Sequence, residues 1–223
     1  MRTRTAILVI TFFAIIGAVF VEVTITRTSA ISPTPSLLTA TSTATLSTPQ
    51  ITFPFPTNYG LATTQEQILA KAYIPPCNEP FNYCLYYNGS AYKGTNFESA
   101  GLRIERRSDL TTSESCLTTP PANRSRLSAT TTPHTGYATS VFSPLGDAAA
   151  GHYANGALYR LFFNGTCYEF ETRVGETQFA NYPPGAIQKF TDANRQAVFA
   201  GLQSILDRVT ITSTGARVQF PAS

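Results

Sequence analysis

Glu169 and Glu171 are the residues whose types and spacing come nearest to chemistry in this chain. Two carboxylates two apart on a strand share one face, and such a pair can divide acid and base work across a glycosidic bond. Arg160 and Arg173 lie close by and favour a plainer role, surface ion pairing. His152 and Asp147, with Ser140 and Ser143 nearby, supply the residue types of a nucleophile, base and orienter. No G-x-S-x-G elbow accompanies them, so a turn is the stronger expectation for Asp147 and His152. Arg103, Arg106 and Arg107 form a small basic cluster that reads as a solvated strand edge, with Arg106 pointing away from the other two. Tyr83, Tyr86, Tyr87, Tyr159 and Phe163 could wall a small-ligand site, although aromatics at strand spacing are usually core. No phosphate loop, dinucleotide fingerprint, calcium loop or HExxH occurs. The sequence therefore assigns no catalytic, cofactor-binding or metal-binding residue.

Four cysteines, Cys77, Cys84, Cys116 and Cys167, all follow an N-terminal apolar run. An even number beyond an export signal predicts two disulfides, and four cysteines allow three pairings. Cys77–Cys84 closes a short loop and Cys116–Cys167 ties a long one to a central hairpin, so this pairing is preferred. A zinc site would want closely spaced pairs, and only His134 and His152 are available besides the cysteines. Asn88, Asn123 and Asn164 each begin an N-glycan sequon, a short motif that carries little weight here.

Charge bounds the partners. From Asn58 onward there are 13 Lys and Arg against 12 Asp and Glu. That balance lacks the clustered basic footprint of a nucleic-acid binder. Residues 6–25 are apolar and follow Arg2 and Arg4, which predicts a transmembrane anchor with a cytoplasmic N-terminus and an extracytoplasmic remainder. The alternative is a signal peptide cleaved near Ala30 and a secreted product. Residues 26–57 hold 10 Thr, 5 Ser and 5 Pro with a single charge, and read as a disordered linker whose Phe53 to Pro56 end docks on the folded part. Residues 58–223 are then one folded domain with a low-complexity insert at 111–136.

Within that domain Thr63 and Glu66 form a capping box for a short helix over 64–73. Residues 83–87, 101–107 and 137–144 read as strands. Asn164-Gly165 between two β-like runs is the strongest local signal, because a type I′ turn needs positive φ at both central residues. A two-residue turn would set Arg160 opposite Glu169 on one face and Tyr159 opposite Phe170 on the other. Cys167 shares the Arg160 face, which places the Cys116 segment over it. Residues 193–209 carry Val198, Leu202, Ile205 and Val209 at helical spacing, with Thr191 or Asp192 as cap. Residues 210–220 close with short strands. The expectation is an α+β domain, an antiparallel sheet with the long C-terminal helix packed on one face, preceded by a transmembrane helix and a disordered stalk.

The order from Phe142 to Leu206 runs through Asp147 to Gly151, Tyr159-Arg160, Asn164 to Glu169, Asn181 to Gly185, then Phe190 and the helix. It resembles uncharacterised exported domains of bacteria with reduced genomes, in a layout similar to the small α+β sheets of the PsbP-like group. The resemblance implies structural turns and a helix start, and lends no catalytic residues. The functional expectation is a membrane-tethered extracytoplasmic domain with a non-enzymatic binding or envelope-structural role. Its partner would be an unknown protein or an envelope polymer. An envelope hydrolase acting on sugar or peptide bonds and a small-ligand-binding domain are the alternatives.

Overall fold

The computed structural model describes residues 43–48, 50–61 and 82–223. The Asn164-Gly165 turn organises the larger part of it. Both residues hold positive φ, 46° and 71°. They join β8 (His152–Phe163) to β9 (Thr166–Thr177) in a register that puts Tyr159 against Phe170 and Arg160 against Glu169. β7 (Tyr137–Ala149) pairs with β8 through a second tight turn at Ala150 and Gly151. Their ladder is interrupted between Phe142 and Leu145, where Pro144 has no N–H to donate.

The remaining strands extend this sheet in both directions. β3 (Tyr59–Leu61), β4 (Asn82–Tyr87) and β5 (Phe97–Arg107) flank β9, and β6 (Thr130–His134) pairs with β7. The result is a seven-stranded antiparallel sheet in the order β3-β4-β5-β9-β8-β7-β6. β1 (Thr43–Ser47), β2 (Ile51–Pro56) and β10 (Thr210–Ile211) form a second, three-stranded sheet. Two α-helices complete the described residues, α1 (Ser113–Thr118) and α2 (Asp192–Leu206). Thr191 caps α2 by accepting from the Asn194 N–H, 3.2 Å away.

The core lies on one face of the large sheet. Leu102, Ile104, Tyr159, Leu161 and Phe170 meet Val198, Leu202, Ile205 and Leu206 of α2 and Ile51, Phe53 and Phe55 of β2. Alternation explains the β2 contribution: Ile51, Phe53 and Phe55 are buried while Thr52, Pro54 and Pro56 are partly exposed.

This architecture corrects the expected α+β layering of one sheet with a long helix across it. Among the described residues the fold is mainly β, ten strands in two sheets with few helical residues. The error came from composition. Residues 43–56 average as Thr/Ser/Pro linker, yet their alternate residues supply strands and part of the core. The insert at 111–136 likewise holds α1 and β6.

The single-pass membrane placement is also corrected. No helix among the described residues is long and apolar enough to cross a membrane. At 15 residues α2 would reach only about 22 Å, short of a hydrocarbon core of about 30 Å. The apolar run at 6–25, the cleavage site near Ala30 and the helix over 64–73 lie outside the described residues, as does Cys77.

Cys116 of α1 is bonded to Cys167 of β9, with Cα atoms 5.6 Å apart. Cys84 is also disulfide-bonded. The Cys116–Cys167 bond spans 51 residues, and closing a loop of that size in the unfolded chain is worth roughly 2–4 kcal/mol. Replacing both Cys116 and Cys167 by Ala should lower stability by about that amount in urea denaturation. A midpoint and slope matching the parent protein would contradict it.

Candidate functional site

The second face of the large sheet carries the residues that looked most like chemistry. Register explains their assembly: Arg103 pairs with Glu171, Glu105 with Glu169, and Glu169 with Arg160 across β5, β9 and β8. Their burial is the surprise. Arg160 is 0% exposed, Glu169 2%, Glu171 4% and Arg103 7%. The surface ion pairing expected of Arg160 and Arg173 is therefore a buried network, and Arg103 belongs to a central strand rather than a solvated edge.

Glu169 is shared by three guanidinium groups. Oε1 accepts from Arg103 Nη2 at 3.0 Å, and Oε2 from Arg107 Nη1 at 2.8 Å and Arg160 Nε at 2.9 Å. Glu171 accepts from Arg103 Nη2 at 3.1 Å and Arg173 Nε at 2.8 Å. Arg173 reaches Asp147 at 2.7 Å, and Asp147 also pairs with Arg124. Glu105 pairs with Arg103, which relieves the like-charge opposition of Glu105 and Glu169.

Arg160 also joins the network to α1. Its Nη1 donates to the carbonyls of Cys116 at 2.9 Å and Thr119 at 2.5 Å. These are helix C-terminal acceptors without an intrahelical donor. The guanidinium lies 4.9 Å from the Phe142 ring centroid. Leu110, Cys116, Leu117 and Cys167 seal this end of the face, with Phe162 packed against them.

Burial pulls the Arg160 guanidinium below its ordinary value, and Glu169 acts to restore it. Burial also works against the Arg103 charge, but Glu171, Glu169 and Glu105 outweigh it and hold the group above its ordinary value. At the exposed end, hydrogen bonding to Asp109 leads the causes that raise Arg107, while the same bond lowers the Asp109 carboxyl.

Both oxygens of both carboxylates are thus engaged by guanidinium donors, leaving neither glutamate set up for acid–base work. The other candidates are dispersed. His152 Nδ1 meets Glu98 at 2.9 Å, whereas Asp147 belongs to the arginine network. Ser140 is buried opposite Arg160, not beside His152. Tyr83, Tyr87 and Phe163 pack on the core, and Tyr86 lies against Gly60, where a Cβ would stand 2.4 Å from its ring.

Tyr159 lines a cavity. A cleft of about 350 Å³ opens between α2 and the β7–β8–β9 region of the core face. Ala157, Tyr159 and Thr172 form its floor, Phe199, Ala200 and Gln203 one wall, and Ser143 with Pro144 another. The Tyr159 hydroxyl donates to Gln203 Oε1 at 3.0 Å, and burial raises the phenol above its ordinary value. The helical wall could not be paired with the strand residues from sequence, since the two are far apart along the chain. Phe199 and Gln203 do stand four apart on one helical stripe, the one signal present.

No family model matches the chain, and no curated protein matches it. Solved structures that align with this chain include the Ran-binding protein Mog1p of Saccharomyces cerevisiae, at 11% identity and TM-score 0.41, covering 78% of this chain and 99% of that one. A point mutant of Mog1 gives the same identity and score. LpqN, described as involved in cell envelope biogenesis of Mycobacterium tuberculosis, aligns at 12% identity and TM-score 0.35, over 77% of this chain and 91% of that one. At these scores the likeness carries no functional argument.

Two outcomes follow from the network. Arg160→Leu leaves Glu169 short of one buried partner and should cost about 3–5 kcal/mol, whereas Arg124→Gln, at a partly exposed pair, should cost about 1 kcal/mol or less. Equal losses in chemical denaturation would contradict this. Asp109 titrates below its unfolded value of about 3.9, so its contribution is present above that pH and is lost as pH falls through the folded value. Because the carboxyl is largely exposed, the effect stays below ~1 kcal/mol. Asp109→Asn should therefore lower the melting temperature slightly near pH 7, flatten the acid limb of the profile and meet the parent curve at low pH; identical curves near pH 7 would contradict it.

Proposed function

We propose that this domain is a non-enzymatic binding protein whose cleft beside α2 takes a small, mostly apolar ligand. The carrying observation is the cleft itself, about 350 Å³ and walled by Ala157, Tyr159, Phe199 and Ala200. That size is at the lower end of the range for small-molecule sites, about 300–1,000 Å³. Its polar groups are few: the Tyr159–Gln203 pair, Asn155, Thr172 and two serines. Thr172 already exchanges hydrogen bonds with the Ala157 backbone, so it offers the ligand little. A few orienting polar groups in an apolar wall suit a ligand with one polar end.

The hydrolase alternative finds less support. It would need a carboxylate with an oxygen free to meet a leaving group or a water. Glu169 and Glu171 each give both oxygens to arginines, and His152 is bound to Glu98.

The test is fluorescence titration with N-phenyl-1-naphthylamine, a neutral apolar probe. The parent protein should bind it saturably with enhanced emission. Ala200 is an exposed helical residue at the cleft wall, and Ala200→Trp fills the space without touching the core. That variant should lose at least tenfold in probe affinity. Undiminished binding by Ala200→Trp, or no saturable binding by the parent, overturns the reading.

A further inference from the structure

A different part of the surface concentrates apolar rings in solvent. Among the described residues four large hydrophobic side chains are exposed, and three of them share one locus: Tyr153 at 38%, Phe179 at 39% and Tyr182 at 37%. Single exposed apolar residues are ordinary, but three aromatic rings where the start of β8 meets the turn after β9 are not accounted for by folding.

The locus is built rigidly. The N–H of Gln178, just after β9, donates to the Gly151 carbonyl in the β7–β8 turn at 2.6 Å. A 3-10 turn over Phe179–Asn181 follows, closed by Asn181 N–H to Gln178 O at 3.0 Å and Tyr182 N–H to Phe179 O at 3.2 Å. Gly151 holds φ at 81°, and a Cβ there would stand 2.6 Å from the Asn181 amide nitrogen, so the two turns interlock. The Tyr182 hydroxyl is 2.9 Å from the Thr177 hydroxyl, and the Tyr153 hydroxyl is 3.5 Å from Gln178 Oε1. The Tyr182 ring is thereby tethered at its tip while remaining exposed, and the Tyr153 hydroxyl lies beside Gln178.

The chemistry of the patch selects among partners. Residues 177–187 contain no Lys, Arg, Asp or Glu. Anionic lipid surfaces and charged polymers call for complementary charge, which this stretch does not offer. Instead it alternates ring faces with neutral amides and hydroxyls, from Gln178, Asn181 and the tyrosines. An uncharged pyranose presents the complementary pattern, apolar C–H faces edged by hydroxyl groups. Aromatic rings with few rotatable bonds, held in place beforehand, lose little entropy on binding.

We propose that Tyr153, Phe179 and Tyr182 form a stacking platform for an uncharged oligosaccharide, with Gln178 and Asn181 hydrogen-bonding its hydroxyls. This site is separate from the cleft beside α2 and does not depend on it.

The test titrates the full chain with four neutral probes, cellohexaose, xylohexaose, mannohexaose and N-acetylchitohexaose, by isothermal calorimetry. At least one should bind saturably. The double variant Phe179→Ala, Tyr182→Ala should weaken that binding at least tenfold with an unchanged circular dichroism spectrum. Ala200→Trp and Leu61→Ala should leave it within twofold. Absence of binding to all four probes overturns the proposal, as does full binding by the double variant. Loss of binding in Ala200→Trp alone would move the sugar to the cleft and likewise overturn it. So would the finding that the double variant abolishes only self-association or sedimentation with neutral phosphatidylcholine vesicles.

Discussion

The carboxylate of Glu169, buried in the middle of a sheet and surrounded by three arginines, is the constraint around which the rest of this structure is arranged. A lone buried carboxylate is prohibitively costly, so its partners must be present and correctly aimed. Arg103 and Arg107 come from β5, and Arg160 from β8, on the two strands that flank β9. Any slip of one residue in either ladder would carry the arginines to the opposite face. The network thus penalises wrong registers more than it adds to stability, a role consistent with the modest net worth of buried ion pairs.

The large sheet consequently has two unlike faces. One meets β2 and α2 through aliphatic and aromatic side chains and needs only volume and shape. The other is charged but close to neutral in sum: Arg103, Arg107, Arg124, Arg160 and Arg173 stand against Glu105, Asp109, Asp147, Glu169 and Glu171. Much of the domain's small charge content is therefore used internally. That leaves few charges for the outer surface, where Thr, Ser, Tyr and amides carry the polarity. The Cys116–Cys167 bond and the Arg160 contacts to Cys116 and Thr119 hold α1 over the charged face from two directions. Solvent exclusion and ion pairing support each other there, since a drier site strengthens each charge interaction.

The proposed sites lie away from this network. The cleft arises where α2 leaves the sheet and where Pro144 interrupts the β7–β8 ladder. The aromatic locus sits at the turn end of β7 and β8, opposite the Asn164-Gly165 end. The cleft shares its floor residues Ala157, Tyr159 and Thr172 with the β8–β9 ladder, whereas the aromatic locus lies beyond the paired centre.

Local chemistry in the sequence determined the Asn164-Gly165 hairpin, its side-chain pairs and the helix after Thr191, because turn geometry and 3.6-residue spacing act over a few neighbours. The facing of Arg160 and Glu169 was equally readable. Their burial was not, because it depends on what covers the face, and the Cys116 carbonyl of α1 is brought there from 44 residues away. Composition misled at 43–56, where Thr and Pro outnumber Ile51, Phe53 and Phe55 but alternation alone decides which side chains meet the core. Only the tertiary structure could gather Glu169 with three arginines, or Tyr153 with Phe179 and Tyr182. Those groupings are set by strand order and turn packing, and neither leaves a periodic trace along the chain.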